Sequence, residues 1–496
     1  MACDGKGVGL LPRIGEFLSC NPGVPPSASH LFFAGSVLSP SLHVTARNLL
    51  SRPPNRKRSE RGRASGSEGV RKWLGLELFL CHSARMRKQN HTSPRRSPFS
   101  VLRQLCNLIP PHLVPKLARE TGVDAKARTF SPWSHLVSLI YAQHTHAIGL
   151  NDVCDALRLH SGMLVTLRGA TPPSRNNLSH ANKERDAALA EKIFWTVLAH
   201  LQALQPGFAR GNRGKGVARR FKRVIHVVDS TTIQLVASCM DWAKHRRRKA
   251  AAKCHLRLDL HSFLPRFAII DTARENDALR SRELCAGIRS GEIVIFDKAY
   301  LDFLHLCDLD QRGVCWVTRA KENMAYEVLG QLPVTGTKIL RDELVVLSNP
   351  AVAKDYPGLL RRVVALVEID GSEQEMVFLS NNLEWSPASI ADLYRNRWSI
   401  EAFFKQIKQT LQLADFLGHS ANAVRWHVWT ALLVYVLLRF LAFLHGWAHS
   451  FTRLFTVVRT SLWRRWDLPD LLRCYGTADG SFRFIATPQQ PCFAGF

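Results

Sequence analysis

The hydrophobic period of this chain changes twice along its length, and those changes limit what it can fold into. Apolar residues first recur at helical spacing, as in Val101, Leu102, Leu105 and Leu108, and again in Leu136, Leu139 and Ile140. Ser131-Pro132-Trp133 opens a helix with proline early in it, Thr171-Pro172-Pro173-Ser174 interrupts the run, and a second long helix follows to about Leu204. From Val224 the pattern is that of strands. Val224–Val228, Cys254–Leu260 and Phe263–Asp271 lead, with Pro265 near the start of the third. Helices at Asn276–Ile288 and Leu301–Gln311 then alternate with strands at Glu292–Phe296 and Val314–Thr318, which predicts a mixed α/β sheet. Residues 322–386 break the alternation with strand-like runs at Leu344–Leu347, Arg361–Val367 and Glu375–Leu379. Helical period returns from Pro387 through Gln412 and again from Asn422 to Leu472.

A chain of 496 residues exceeds one hydrophobic core, so about two to four domains are expected. The boundaries read as a helical region at 91–205, a basic linker at 206–223, an α/β core at 224–321, a β-rich insertion at 322–386, a helix-bearing return to the core at 387–420 and a helical C-terminal region at 421–496. Residues 1–90 are rich in Pro, Ser, Gly and Arg and lack periodicity. They are expected to be disordered, or to lie upstream of a true start at Met86.

Charge narrows the function. Lys plus Arg is 67 against 40 for Asp plus Glu, a formal +27 that calls for a polyanionic partner or an anionic membrane surface. The membrane option is weak. The best apolar run, Ala431–Leu444, is interrupted by Arg439 and is shorter than the roughly 20 residues of a span, so a buried core helix is expected. Gly7–Leu11 is too short for a signal peptide. The twelve cysteines are scattered singly and read as reduced thiols, and Cys254-His255 has no partner pair at zinc spacing.

Three acidic residues stand out by position. Asp229 closes the run VIHVVDSTT and Asp297 closes EIVIFDKAY. Open α/β sheets place their sites at the carboxyl ends of strands. Two carboxylates held there repel, and an oxygen-seeking cation such as Mg²⁺ or Mn²⁺ relieves the repulsion. Singly, each Asp is better explained as a turn former or helix cap. The third acid, Glu401, lies mid-helix in LYRNRWSIEAFFKQIKQ. Tyr394, Arg397, Glu401 and Lys408 follow at steps of three, four and seven, which keeps them on one helical face. Arg and Lys beside a metal-binding Glu can hold phosphate oxygens. An Arg397–Glu401 surface pair accounts for one step of that row but not for all of it.

The spacing Y-x2-R-x3-E-x6-K resembles the signature of the insertion sequence 4 family of DDE transposases. DSTTI (Asp229–Ile233) and FDKAYLDF (Phe296–Phe303) resemble that family's two Asp motifs, WVTRAKEN (Trp316–Asn323) its following strand, and SRNNLSHANKERD (Ser174–Asp186) its N-terminal helical domain. The likeness runs from about residue 98 to about 450. It implies a ribonuclease H-like α/β catalytic core with a β-rich insertion, flanked by helical N- and C-terminal regions, the first of them DNA-binding. It implies Asp229, Asp297 and Glu401 as the metal-binding triad for two Mg²⁺ or Mn²⁺ ions. Cleavage at the ends of a bacterial mobile element and strand transfer into target DNA would follow.

The implied partner is double-stranded DNA, terminal inverted repeats and target alike. The protein would assemble on it as a homodimer, in the cytoplasm at the nucleoid. Tyr394, Arg397 and Lys408 would contact DNA. The KHRRRK loop (Lys244–Lys249, with Arg246, Arg247 and Arg248) and Arg319 and Lys321 after a core strand are further phosphate-contact candidates. His226 reads as a core histidine. Two departures are visible. Lys298-Ala299 stands where the family often has Arg-Gly or Arg-Ala, and Glu322–Glu384 holds no tryptophan to stack on a flipped base. A structure-specific nuclease on the same fold and an inactive DNA-binding descendant are the rival readings. The complete signature argues against the second.

Overall fold

The computed structural model describes residues 93–475 except 126, 212–219, 236–238, 247–248, 273–276, 335, 370 and 412–415. All of these fall in one unit, Arg87–Phe496. The disorder or alternative start expected before residue 90 lies outside the described residues, as does the middle of the basic linker, 212–219.

Helices α1 (Val101–Cys106), α2 (Leu113–Glu120), α3 (Pro132–Thr145), α4 (Leu150–Leu159), α5 (Arg175–Glu184) and α6 (Ala188–Leu204) come first. Local chemistry starts them. Ser131 Oγ accepts the Ser134 N–H with proline in the first turn of α3, and Ser174 Oγ accepts the Asn177 N–H at the head of α5.

The two helical flanks read separately from sequence share one core. The long C-terminal helix, Ala421–Leu444, packs on α3, α5 and α6. The Phe194 and Trp429 rings meet at 5.4 Å, and Trp426 Nε1 donates to Arg185 O at 2.7 Å. By length and composition this helix passes as a membrane span, but 83% of its apolar window is buried inside the protein. A helix apolar all round needs such a jacket.

The described strands form one ten-stranded sheet. They are β1 (Ile225–Leu235), β2 (Lys244–Arg246), β3 (Lys249–Asp259), β4 (Leu264–Thr272), β5 (Ile293–Phe296), β6 (Cys315–Arg319), β7 (Tyr326–Gln331), β8 (Ile339–Leu347), β9 (Leu360–Ile369) and β10 (Ser372–Ser380). The path runs β2-β3-β1-β5-β6-β10-β9-β8-β7, with β4 also paired to β3. β1 is antiparallel to β3 and parallel to β5, and β5 is parallel to β6. Helices α7 (Asp277–Cys285) and α8 (Phe303–Gln311) make the crossovers.

Two expectations need correction. Strand β1 does not stop at Asp229 but runs on to Leu235, because β3 pairs with it as far as Leu235↔Ala250. The parallel ladder to β5 does stop there, at Val228↔Phe296, so Asp229 and Asp297 are the next residues on two neighbouring strands. The single helix expected from Pro387 to Gln412 is divided into α9 (Pro387–Arg395), α10 (Trp398–Lys405) and a π-helical turn at Gln406–Thr410. At the first break the Asn396 side chain donates to Asp392 O at 2.6 Å, competing with the helical ladder. The remaining helices are α11 (Ala421–Leu444), α12 (Phe451–Ser461) and α13 (Leu468–Cys474).

Candidate active site

Helices α9 and α10 lie where the parallel ladder ends, and their polar residues meet the two aspartates. Tyr394 OH donates to Asp297 Oδ1 at 3.1 Å. Arg397 Nη1 donates to Asp229 Oδ2 at 2.9 Å, and its Nη2 lies 2.8 Å from Glu401 Oε1. Lys408 Nζ donates to Thr232 O on β1 at 2.7 Å. The six residues singled out from two strands and one signature are therefore neighbours. Asp229, Asp297, Arg397, Glu401 and Lys408 line a cleft of about 530 Å³.

Electrostatics follow from this crowding. Burial pushes the Asp229 carboxyl up to about 6, against the pull of Arg397 and of the Ser230 N–H, while Asp297 and Glu401 push the same way as burial. Burial alone would lower the Arg397 guanidinium. Tyr394, Asp229, Glu401 and Asp297 outweigh it, so the group is held more firmly charged than usual. Burial raises the Tyr394 hydroxyl and lowers the Lys408 ammonium.

Among the described residues no three His, Cys, Asp or Glu side chains close on a common point at metal-holding distance. Instead the Arg397 guanidinium lies between Asp229 and Glu401. The donor chemistry still suits a hard divalent cation. It is all carboxylate, and the repulsion that helps raise Asp229 is what such a cation relieves.

The other basic candidates fall differently. Arg319 ends β6, half-buried, and its charge reaches the Tyr394 hydroxyl, while Lys321 is exposed beyond it. Neither lines the cleft. Lys244–Lys249 is not the loop expected: Lys244–Arg246 form β2 and Lys249 opens β3, paired antiparallel, while Arg247 and Arg248 lie outside the described residues. Lys298 lies 3.4 Å from exposed Glu322. His226 is buried, with Nε2 3.0 Å from Glu292 Oε2.

Several cleft residues were not singled out from sequence: Ser230, Thr231, Phe404, Lys405 and Gln409. Lys405 follows Glu401 by four, a helical step that would have found it. On the opposite face of β1 a buttress was also missed. Ser230 Oγ donates to Asp277 Oδ1 at 2.9 Å, and Lys253 Nζ to Asp277 Oδ2 at 2.7 Å. The Ser230 N–H meanwhile donates to Asp229 Oδ1 at 2.7 Å.

Comparison with known proteins gives the family. The family described as "Transposase DDE domain" matches residues 220–437, and a "Domain of unknown function (DUF4372)" matches 98–167. A putative transposase, y4zB, of Sinorhizobium fredii is 30% identical over 327 residues, spanning 65% of this chain and 86% of that protein. The transposase for insertion sequence element IS231E of Bacillus thuringiensis is 23% identical over 377 residues, spanning 65% and 75%. Among solved structures, the piggyBac transposase synaptic complex with hairpin DNA overlaps at TM-score 0.42 and 9% identity, over 74% of this chain and 82% of that one. The chain belongs to the DDE transposases of insertion sequences.

Proposed function

We propose that this transposase cuts at the ends of its own element and joins them to target DNA at the Asp229–Asp297–Glu401 cleft. The observation that carries the reading is the convergence of two strand-end aspartates with Tyr394, Arg397, Glu401 and Lys408 around one cleft. The strand order β4-β3-β1-β5-β6, with only β3 antiparallel to its neighbours, supports a ribonuclease H-like core. Strands β7–β10 continue that sheet as the insertion.

Asp229, Asp297 and Glu401 would hold two Mg²⁺ or Mn²⁺ ions, which supply an activated nucleophile and charge stabilisation at phosphorus. The protein's own groups do the rest. Tyr394 fixes the Asp297 carboxylate through its hydroxyl, and the Ser230 N–H fixes that of Asp229. Arg397, already between two carboxylates, can turn a guanidinium N–H to a phosphate oxygen. Lys408 adds a point charge at the cleft wall, with Arg319 and Lys321 further along the DNA path. The partner is double-stranded DNA. A homodimer on that DNA, a helical N-terminal region that helps recognise the ends, and work in the bacterial cytoplasm at the nucleoid complete the reading.

The test is cleavage and joining on a labelled duplex carrying the element's end, with Mg²⁺ or EDTA. Metal-dependent nicking followed by joining supports a transposase. Nicking without joining moves the structure-specific nuclease to first place, and tight binding without cutting moves the inactive DNA-binding protein there.

A pH prediction follows from Asp229. Its carboxyl titrates near 6, so below that pH a cation must displace a proton to bind. Calorimetric Mn²⁺ affinity is expected to be flat above pH 7 and to fall about tenfold per pH unit below about 6, the slope for one displaced proton. Constant affinity down to pH 4.5 would remove Asp229 from the ligand set.

A further inference from the structure

The helix that carries Glu401 ends in an unusual way. Gln406–Thr410 is a π-turn, and the Leu411 N–H donates back to Gln406 O at 3.2 Å. Such turns redirect side chains and gather at functional sites. Lys408 lies at the centre of this one. The last carbonyls of a helix have no donor within it. That of Thr410 is met by His146 Nε2 at 2.9 Å, from 264 residues earlier in the chain. His146 Nδ1 in turn lies 3.0 Å from Arg459 Nη1, and Arg459 Nη2 donates to Thr145 O at 3.2 Å.

These contacts assign the imidazole's protons. A carbonyl only accepts, so Nε2 carries hydrogen. A guanidinium only donates, so Nδ1 offers its lone pair. Both bonds hold only for that neutral tautomer. The ring is also stacked on Phe455, with centroids 5.2 Å apart and planes at 18°. A second strut stands beside it, where the Thr410 and Thr452 hydroxyls meet at 3.1 Å.

His146 holds this ring at a backbone cost. It ends α3 in the left-handed region, at φ 57°. Glycine is the usual residue for such a helix end. A histidine there is strained, and strain of this kind persists where a side chain has a task.

We infer that His146 is a positioning residue. With Arg459 it caps the π-turn from the helical layer and thereby sets where Lys408 presents its charge to a DNA phosphate. The inference rests on the reading of Lys408 as a phosphate contact.

The test uses the full chain and a labelled duplex carrying the element's end. Single-turnover nicking in Mg²⁺ and the salt dependence of binding are measured for His146→Gly, Lys408→Ala and the double variant. Glycine keeps the left-handed backbone unstrained and removes only the ring. His146→Gly is expected to slow nicking about 10-fold through misplacement. It should also flatten the slope of log K against log salt by about 0.9, the worth of one phosphate. Added to Lys408→Ala, it should change neither readout. His146→Gln should restore part of both, because its longer side chain brings an amide N–H to the Nε2 position, where it can donate to Thr410 O.

A wild-type slope in His146→Gly overturns the inference and leaves the DNA site standing. So does a double variant slower than Lys408→Ala by the full His146→Gly factor. If Lys408→Ala itself leaves rate and slope unchanged, the phosphate reading fails and the inference fails with it. Where His146→Gly melts early, Arg459→Leu leaves residue 146 itself unchanged and removes the donors to Nδ1 and to Thr145 O. The same losses are expected of it, and a wild-type slope and rate overturn the inference.

Discussion

Glu401→Gln is expected to stop metal-dependent nicking of the element's end by at least about 10³-fold while leaving duplex binding intact, and Asp297→Asn to do the same. Both changes keep shape and remove one negative charge. Glu401 is 41% exposed in its side chain, so the amide meets water and costs little stability. Arg397 keeps its bond to Asp229, and a glutamine oxygen can still accept from its other amino group. At Asp297 the Tyr394 hydroxyl can still donate to an asparagine oxygen. The scaffold therefore survives, and on the proposed reading what is lost is a ligand that an amide replaces poorly for a hard divalent cation. Removing a negative charge beside the DNA path should tighten binding slightly, so a gel shift separates a lost reaction from a lost complex. Nicking at wild-type rate in either variant would remove that residue from the triad. Rates lost in step with binding would make it a structural residue instead.

Much of this site was legible in the sequence because its parts are locally encoded. An apolar β-branched run that ends in Asp marks a strand edge, and steps of three, four and seven mark one side of a helix. What local pattern cannot give is partner choice. Nothing in VIHVVDSTT says that β1 continues past Asp229; that depends on β3, about twenty residues on, pairing along its whole length. Nor does Arg397 announce that it will bridge Asp229 and Glu401 rather than reach outward. Strand β7 was missed for a related reason. YEVLGQ is mostly exposed, has a register shift near Gly330 and sits at the sheet's edge, where alternation is weakest. The break at Asn396 depends on one side-chain bond that no periodicity registers. The shared core of the two helical flanks joins segments more than two hundred residues apart.

Asp342→Ala is expected to cost about 3–5 kcal/mol of stability, the largest single loss foreseen in strands β7–β10. Arg361 forks onto Asp342, with Nε to Oδ1 at 2.9 Å and Nη2 to Oδ2 at 2.6 Å, and the two side chains are 5% and 0% exposed. Removing the carboxylate leaves a buried guanidinium without its counter-ion. One residue along, Arg362 pairs with Glu343 on the other face of the sheet. A one-residue slip of β8 against β9 would break both pairs, so together they specify register. Arg361 also donates to the carbonyls of Leu383 and Trp385, on the segment that enters α9 and leads to α10, which carries Glu401. Thermal melts should therefore show a fall on the order of 10 °C for Asp342→Ala, with nicking lost in step. The double variant Asp342→Leu with Arg361→Met tests the cause. Without either charge, most of the stability should return, since apolar side chains can fill the space of a buried pair. Return should stop short of wild type, because the Leu383 and Trp385 carbonyls then lack their donor. A double variant no more stable than Asp342→Ala would show that the loss came from the packing of this corner and not from the stranded charge.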